Sequence, residues 1–163
     1  MSRYYCFSGS RRLAGNQYYL CKRLALSLAK AGNIIVTGCA AGADAAVRSA
    51  VPTATIFRAS DFGSGRAAFA LRSIEMIRSL PSGSVVVGFP DRCCPKEIVS
   101  SGSASQCFCG SGSGTWATLA FAAGLRHEIY IFGACPKWGK WDRVVSGIFA
   151  GSFRLSHDPS LFG

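Results

Sequence analysis

A glycine-rich segment, Gly110–Gly114, carries the clearest chemical signal in this chain, because its glycines alternate with serines and an apolar stretch of helical composition, Thr115–Leu125, follows directly. Such a segment leaves backbone N–H groups free and lets a ligand approach the backbone closely. Free N–H groups and the positive dipole end of a helix attract anions. We therefore predict a phosphate site over Gly112–Thr115. A flexible linker is the alternative, but linkers rarely run straight into an apolar helix.

Two turns of similar composition occur earlier in the chain. The first is Ser8–Arg11, where Arg11 or Arg12 is predicted to contact a phosphate. The second is Gly38–Asp44, whose two glycines permit tight backbone geometry. Asp44 is expected either to cap the following helix or to accept hydrogen bonds from a ligand hydroxyl.

A regular alternation of predicted strands and helices positions these turns. Apolar runs predict strands at 3–7, 34–37, 54–57, 84–89 and 128–132. Helical spacing predicts helices at 17–31, 67–80 and 115–125, with a shorter one that begins near 45. Such alternation implies parallel strands with right-handed crossovers, which bring the turns to one edge of the sheet. We predict an α/β fold with a mostly parallel sheet of five or more strands.

The predicted helix over 67–80 contains one basic and one acidic residue of interest, Arg72 and Glu75. Residues three apart share a helical face, so a surface ion pair between them is expected. Contact with a ligand is the alternative.

Residues 91–109 form a long segment before the glycine loop. This length is uncommon in a compact domain unless the segment has a function or internal structure, and we interpret it as a lid over the site. It contains Cys93, Cys94, Cys107 and Cys109. Neither pair has the spacing of a structural zinc site, so we predict reduced thiols and no metal.

The composition of the 163 residues limits the protein class. Hydrophobic residues make up 49% and charged residues 16%, which excludes a disordered chain. No apolar run reaches membrane-spanning length and Met1–Tyr5 lacks the features of a signal peptide, so a cytoplasmic protein without a membrane partner is expected. The net charge of +10 makes polyanions plausible partners, although the basic residues are scattered.

Residues 1–133 are predicted to form the ligand-binding domain and 134–163 a C-terminal extension. Apolar residues between Trp138 and Phe149 predict a short amphipathic helix. We expect it to pack on the same domain or on a neighbouring subunit of a homo-oligomer. The last dozen residues show no pattern.

Four of these segments resemble motifs of the SLOG superfamily, and most closely its small stand-alone YspA-like branch: Ser8–Arg11, Val36–Asp44, Arg72–Met76 and Gly112–Thr115. The resemblance covers residues 3–133. It implies a Rossmann-like three-layer sandwich that binds a nucleotide or nucleotide-derived small molecule, as a sensor for example, at the carboxyl edge of its sheet. The ligand contacts that it implies are Gly9, Ser10, Arg11, Gly38, Gly42, Asp44, Arg72, Gly112, Ser113, Gly114 and Thr115.

More distant similarity to two other branches implies two alternative functions. LOG phosphoribohydrolases cleave an N-glycosidic bond with a glutamate where this chain has Thr118, so Asp44 or Glu75 would have to act as the catalytic acid. DprA proteins bind single-stranded DNA, and a positive groove of that kind would match the net charge. No cofactor other than a nucleotide-derived ligand is predicted.

Overall fold

A computed structural model of the protein describes residues 2–157. The strands are β1 (Tyr4–Gly9), β2 (Ile34–Thr37), β3 (Thr55–Ile56), β4 (Val85–Phe89), β5 (Glu128–Ile131), β6 (Trp141–Arg143) and β7 (Phe153–Leu155). The helices are α1 (Gly15–Lys30), α2 (Ala43–Ala50), α3 (Gly65–Arg78), α4 (Ala104–Cys107) and α5 (Gly114–Gly124), with a 3₁₀ turn at Ala59–Phe62.

The strands form one sheet in the order β3-β2-β1-β4-β5-β7-β6. The first five are parallel, whereas β7 is antiparallel to β5 and β6 is antiparallel to β7. The predicted α/β fold with a mostly parallel sheet is confirmed, and the architecture is that of a Rossmann-like sandwich. The chain leaves β1 toward β2 and later crosses to β4 on the other side. The strand order therefore reverses between β1 and β4, where open α/β sheets form a crevice.

Helices cover both faces of this sheet because alternate residues of each strand point to opposite sides. Tyr5 and Phe7 of β1 belong to a core shared with α1 and α2. Cys6, between them, belongs to the core shared with α3 and α5. Both faces of the central strands are thus buried, as expected for parallel strands that read as continuous apolar runs.

The predicted amphipathic helix between Trp138 and Phe149 is wrong, since this region contributes β6 and then turns into β7. Positive φ angles of +83° at Gly147 and +90° at Gly151 turn the chain between the two strands. Phe149 stacks on Tyr130 with ring centroids 4.0 Å apart, while Val145 is 82% exposed. The apolar residues between Trp138 and Phe149 therefore do not form one buried face, and some of them, such as Phe149, pack individually. Residues 158–163, the end of the predicted extension, lie outside the described residues.

The long segment over 91–109 packs against α5. Ile98 is buried, and the N–H of Ser101 donates to the carbonyl of Ala120 at 3.4 Å. A Cβ at Gly124 would overlap the backbone of Ser101, so α5 and the segment touch closely. This packing and the short helix α4 explain the length of the segment, and its role as a lid stays a prediction.

None of the helices in residues 2–157 is both long enough and apolar enough to cross a membrane.

Candidate functional site

A cavity of about 940 Å³ lies at the carboxyl edge of the sheet, next to the ends of β1 and β4. Its walls include Ser8–Arg12, Pro90–Arg92, one face of α3 and the segment from 107 to 118. It occupies the position where the strand order reverses. Ligands of open α/β sheets bind at such positions.

The glycine loop Gly110–Gly114 lines this cavity along its whole length. The φ angles of Gly110 and Gly112 are +80° and +86°, a left-handed conformation that favours glycine. A Cβ at Gly114, the first residue of α5, would meet nothing within 4 Å. The loop therefore borders open space.

Side chains around the start of α5 hold the loop in place. Ser113 is the N-cap, and its hydroxyl accepts a hydrogen bond from the N–H of Trp116 at 3.3 Å. Thr118 donates its hydroxyl to the carbonyl of Gly114 at 2.7 Å, and the Trp116 indole donates to the carbonyl of Arg92 at 2.9 Å. The first N–H groups of an α-helix have no partner within the helix. Those of Gly114 and Thr115 are consequently the candidates for binding an anion.

The turn over residues 38–42 has a different role, because neither Gly38 nor Gly42 lines the cavity. Gly42 has a φ of +70°, and a Cβ there would collide with the carbonyl oxygen of Ser10. That oxygen accepts the N–H of Ala43 at 3.1 Å, so part of the α2 N-terminus is already occupied by protein. Gly38 and Gly42 therefore make packing contacts within the protein, and their predicted contacts with a ligand stay a prediction.

The three predicted ligand contacts in the first turn, Gly9, Ser10 and Arg11, all line the cavity. A Cβ at Gly9 would lie 2.6 Å from the Cβ of Ala43, so close packing of β1 on α2 requires glycine there. Ser10 donates its N–H to the carbonyl of Phe89 at 2.9 Å, which joins β1 to the end of β4. The first turn therefore forms a fixed wall of the cavity.

A buried ion pair connects the second turn to α3. Arg72 Nη1 lies 3.3 Å from Asp44 Oδ2, and the two side chains are only 8% and 7% exposed. Asp44 also accepts the Thr37 hydroxyl and the N–H of Ala40, each at 3.1 Å, and does not cap α2, whose N-cap is Gly42. A Cβ on Gly38 would overlap the Arg72 guanidinium. Gly38 is glycine because the ion pair occupies the adjacent space.

Burial raises the pKa of the Asp44 carboxyl above its ordinary value, while Arg72, Ala40 and Thr37 act in the opposite direction. Both partners of the ion pair line the cavity. Asp44 is therefore an acidic group in the cavity wall whose carboxyl keeps its proton to higher pH than a carboxyl in water.

The predicted surface ion pair between Arg72 and Glu75 is wrong. Residues 72 and 76 of α3 face inward, whereas residues 75 and 78 face solvent. Glu75 instead contacts Arg78 at 3.4 Å and does not line the cavity. Of the two predicted catalytic carboxylates, only Asp44 lies in its wall.

Several residues that sequence reasoning missed also line the cavity, among them Arg66, Phe69 and Arg92. The Arg11 guanidinium carbon lies 4.2 Å from the centre of the Phe69 ring, a cation–π contact. Arg92 Nη2 donates to the carbonyl of Gly112 at 3.2 Å. The positions of Arg66 and Arg92 in the sequence could have indicated the site. Arg66 stands at the start of a helix, and Arg92 lies two residues after Pro90, which ends the most apolar strand.

The cavity is basic overall, since five arginines and two aspartates line it. Cys107 lies buried in its wall, where burial raises the pKa of the thiol. All eight cysteines are unpaired. Within residues 2–157, no group of three or more His, Cys, Asp or Glu residues is placed to hold a metal ion.

Comparison of the chain with protein-family models, with curated proteins and with solved structures gives no match.

Proposed function

We propose that the protein binds a nucleotide or nucleotide-derived small molecule in this cavity, with a phosphate group against Gly112–Thr115. The observation that carries the proposal is the opening of α5 into the cavity at the point where the strand order reverses. Unpartnered N–H groups at a helix start bind phosphate well, particularly where glycines let it approach. The motifs that resemble the SLOG superfamily supply the nucleotide part of the proposal.

The dimensions and charge of the cavity support the same ligand class. A volume of about 940 Å³ falls within the range of small-molecule sites. The excess of arginine over aspartate favours a negatively charged guest. Phe69, over which Arg11 packs, lines the cavity and supplies an aromatic ring, a group on which bases stack.

Gly114→Asp tests the phosphate position, because its effects on binding and on folding have opposite signs. The new side chain enters open space, and an acidic group in the first helical turn stabilises a helix by about 0.5 kcal/mol. The same charge repels a phosphate. We expect isothermal titration calorimetry to show affinity for nucleoside monophosphates falling by about a hundredfold, with thermal stability kept or raised.

Gly114→Asn is the matched control, since it has nearly the same shape without the charge. It should retain much more affinity than Gly114→Asp. Equal affinity of wild type and Gly114→Asp for every nucleotide that binds would contradict the proposed phosphate position. Stabilisation by oligonucleotides and not by mononucleotides would favour the alternative function of single-stranded nucleic-acid binding.

N-glycosidic bond cleavage is a second candidate function, favoured by the position of Asp44 in the cavity wall. A carboxyl group in the wall of a ligand cavity is a residue type that can serve as a general acid toward a leaving base. Release of free base from a nucleoside monophosphate, lost in Asp44→Asn and kept in Glu75→Gln, would support it. Glu75 is the control because it lies outside the cavity. No release by the wild-type protein with any of the common bases would exclude this candidate.

A further inference from the structure

The positive charge of the cavity is unevenly distributed between its walls. Arg72 is paired with Asp44, and Arg92 Nε lies 3.8 Å from Asp91 Oδ1. The remaining three lining arginines, Arg11, Arg12 and Arg66, have no carboxylate within ion-pair distance among residues 2–157. The uncompensated charge of the cavity thus lies with these three arginines.

We call Arg11, Arg12 and Arg66 the arginine cluster. Arg66 and Phe69 both belong to the face of α3 that lines the cavity. Arg11 packs over the Phe69 ring at 4.2 Å, which brings the first turn against the same face. The cluster therefore belongs to the walls formed by α3 and the first turn, whereas the glycine loop belongs to α5.

A single phosphate on the glycine loop would leave the charge of this cluster unneutralised. The loop offers backbone N–H groups and Arg92, which suffice for one phosphate. A second, independent sign of an anion comes from Arg72, whose side chain is buried in the cavity wall. Its Nε has no hydrogen-bond partner among the described residues. A buried donor without a partner is destabilising unless a bound group satisfies it.

We infer that the ligand carries a second phosphoryl group, bound by the arginine cluster. This inference rests on the proposed function and specifies its substrate class: a nucleotide with two phosphoryl groups, either adjacent or on separate ribose positions. Guanidinium groups suit this role because they bind phosphate oxygens through two parallel hydrogen bonds.

Titration calorimetry with matched probes tests the inference. AMP, ADP and adenosine 3′,5′-bisphosphate, with the corresponding guanine, cytosine and uracil compounds, vary the second phosphoryl group and the base. Inorganic phosphate and pyrophosphate remove the base. We expect at least one two-phosphoryl nucleotide to bind the wild-type protein about tenfold or more tightly than its monophosphate. The double variant Arg11→Gln/Arg66→Gln should lose this preference, so that its affinities for the two compounds differ by less than about threefold.

Arg23→Gln/Lys30→Gln is the control variant, because it removes the same net charge from exposed residues of α1 that do not line the cavity. It should keep the preference. Since Arg11 and Arg66 are exposed, their double variant is expected to fold, and urea unfolding checks this.

The outcomes separate the inference from the proposed function. Nucleotide binding without preference for two phosphoryl groups, or equal loss of both affinities in the arginine double variant, would overturn the inference and leave the function standing. Preferential binding of pyrophosphate that depends on Arg11 and Arg66, without binding of any nucleotide, would support the second anion position and overturn the nucleotide function. Absence of all binding would overturn both.

Discussion

Two glycine-rich turns that look alike in sequence use glycine for opposite reasons. In the turn over 38–42, Gly38 and Gly42 are glycine because protein atoms occupy the space of a side chain. In Gly110–Gly114, a Cβ on any of the three glycines would meet nothing within 4 Å, and the space beside the loop belongs to the cavity. A glycine turn is thus a candidate ligand site only where the space that a side chain would fill is open.

Because of this difference, substitutions in the two turns should affect different properties of the protein, namely its stability and its ligand binding. Substitution in the turn over 38–42 should disturb folding, because it breaks contacts that the protein makes with itself. Substitution in the glycine loop should affect mainly what the cavity holds. Four variants, in order of decreasing effect on the free energy of unfolding, test this contrast.

Gly42→Ala is expected to be the most damaging. The methyl group would collide with the backbone of Ser10, and the φ of +70° is unfavourable for alanine. Left-handed strain of about 1–2 kcal/mol and overpacking of about 1–3 kcal/mol add to about 4 kcal/mol, measured by urea unfolding. The control is Gly32→Ala, where φ is +89° and a Cβ meets nothing within 4 Å. Equal losses in the two variants would show that the contact with Ser10 is unimportant.

Gly38→Ala should lower the free energy of unfolding by about 3 kcal/mol, because it displaces Arg72 from buried Asp44. The loss should be much smaller in a background that already carries Arg72→Met and Asp44→Asn, since the pair is then absent. Urea unfolding of the four proteins of this cycle gives the coupling. Additive effects would argue that Gly38 serves another purpose.

Gly112→Ala should destabilise by about 1 kcal/mol, the strain of a left-handed alanine without any collision. The predicted order of Gly42, Gly38 and Gly112 follows from the φ angle at each position and from the atoms that a Cβ would meet there. A loss at Gly112 as large as that at Gly42 would contradict the description of the glycine loop as open.

Gly114→Ala should have the smallest effect and the opposite sign. Its φ is not positive and its Cβ space is empty. Alanine is the better helix former by about 1 kcal/mol in a helix interior, and we expect a gain of up to about 0.5 kcal/mol at this terminal position. Thermal unfolding without ligand measures it. A clear destabilisation would mean that neighbouring atoms crowd a Cβ at the start of α5.

Much of the fold could be predicted from local patterns. The apolar runs that became β1, β2 and β4 are buried on both faces, so each run was visible without knowledge of its neighbours. In β5, Ile129 and Ile131 are buried, whereas Glu128 and Tyr130 are partly exposed. The hairpin of β6 and β7 escaped prediction because its strands are three residues long and depend on pairing with β5. Short strands of this kind carry too few residues to show a period.

The candidate site was predictable only in part. The glycine loop was recognised because its chemistry is local to one segment. The roles of Gly38 and Gly42 were not, since they depend on Arg72 and Ser10, which are distant in sequence. The inward orientation of Arg72 and outward orientation of Glu75 likewise follow from how α3 sits on the sheet. Spacing of three residues alone does not decide it.

The central position of β1 has a consequence for how the chain folds. Tyr5 pairs with Ile35 on one side and with Val85 on the other. One edge of β1 therefore pairs with a strand about 30 residues later in the chain, and the other edge pairs with a strand about 80 residues later. Because contacts between distant residues form more slowly, we expect the unit of β1, α1 and β2 to acquire protection from hydrogen exchange before β4 docks. The crevice between β1 and β4 would then be among the last features to assemble, and refolding kinetics should show it.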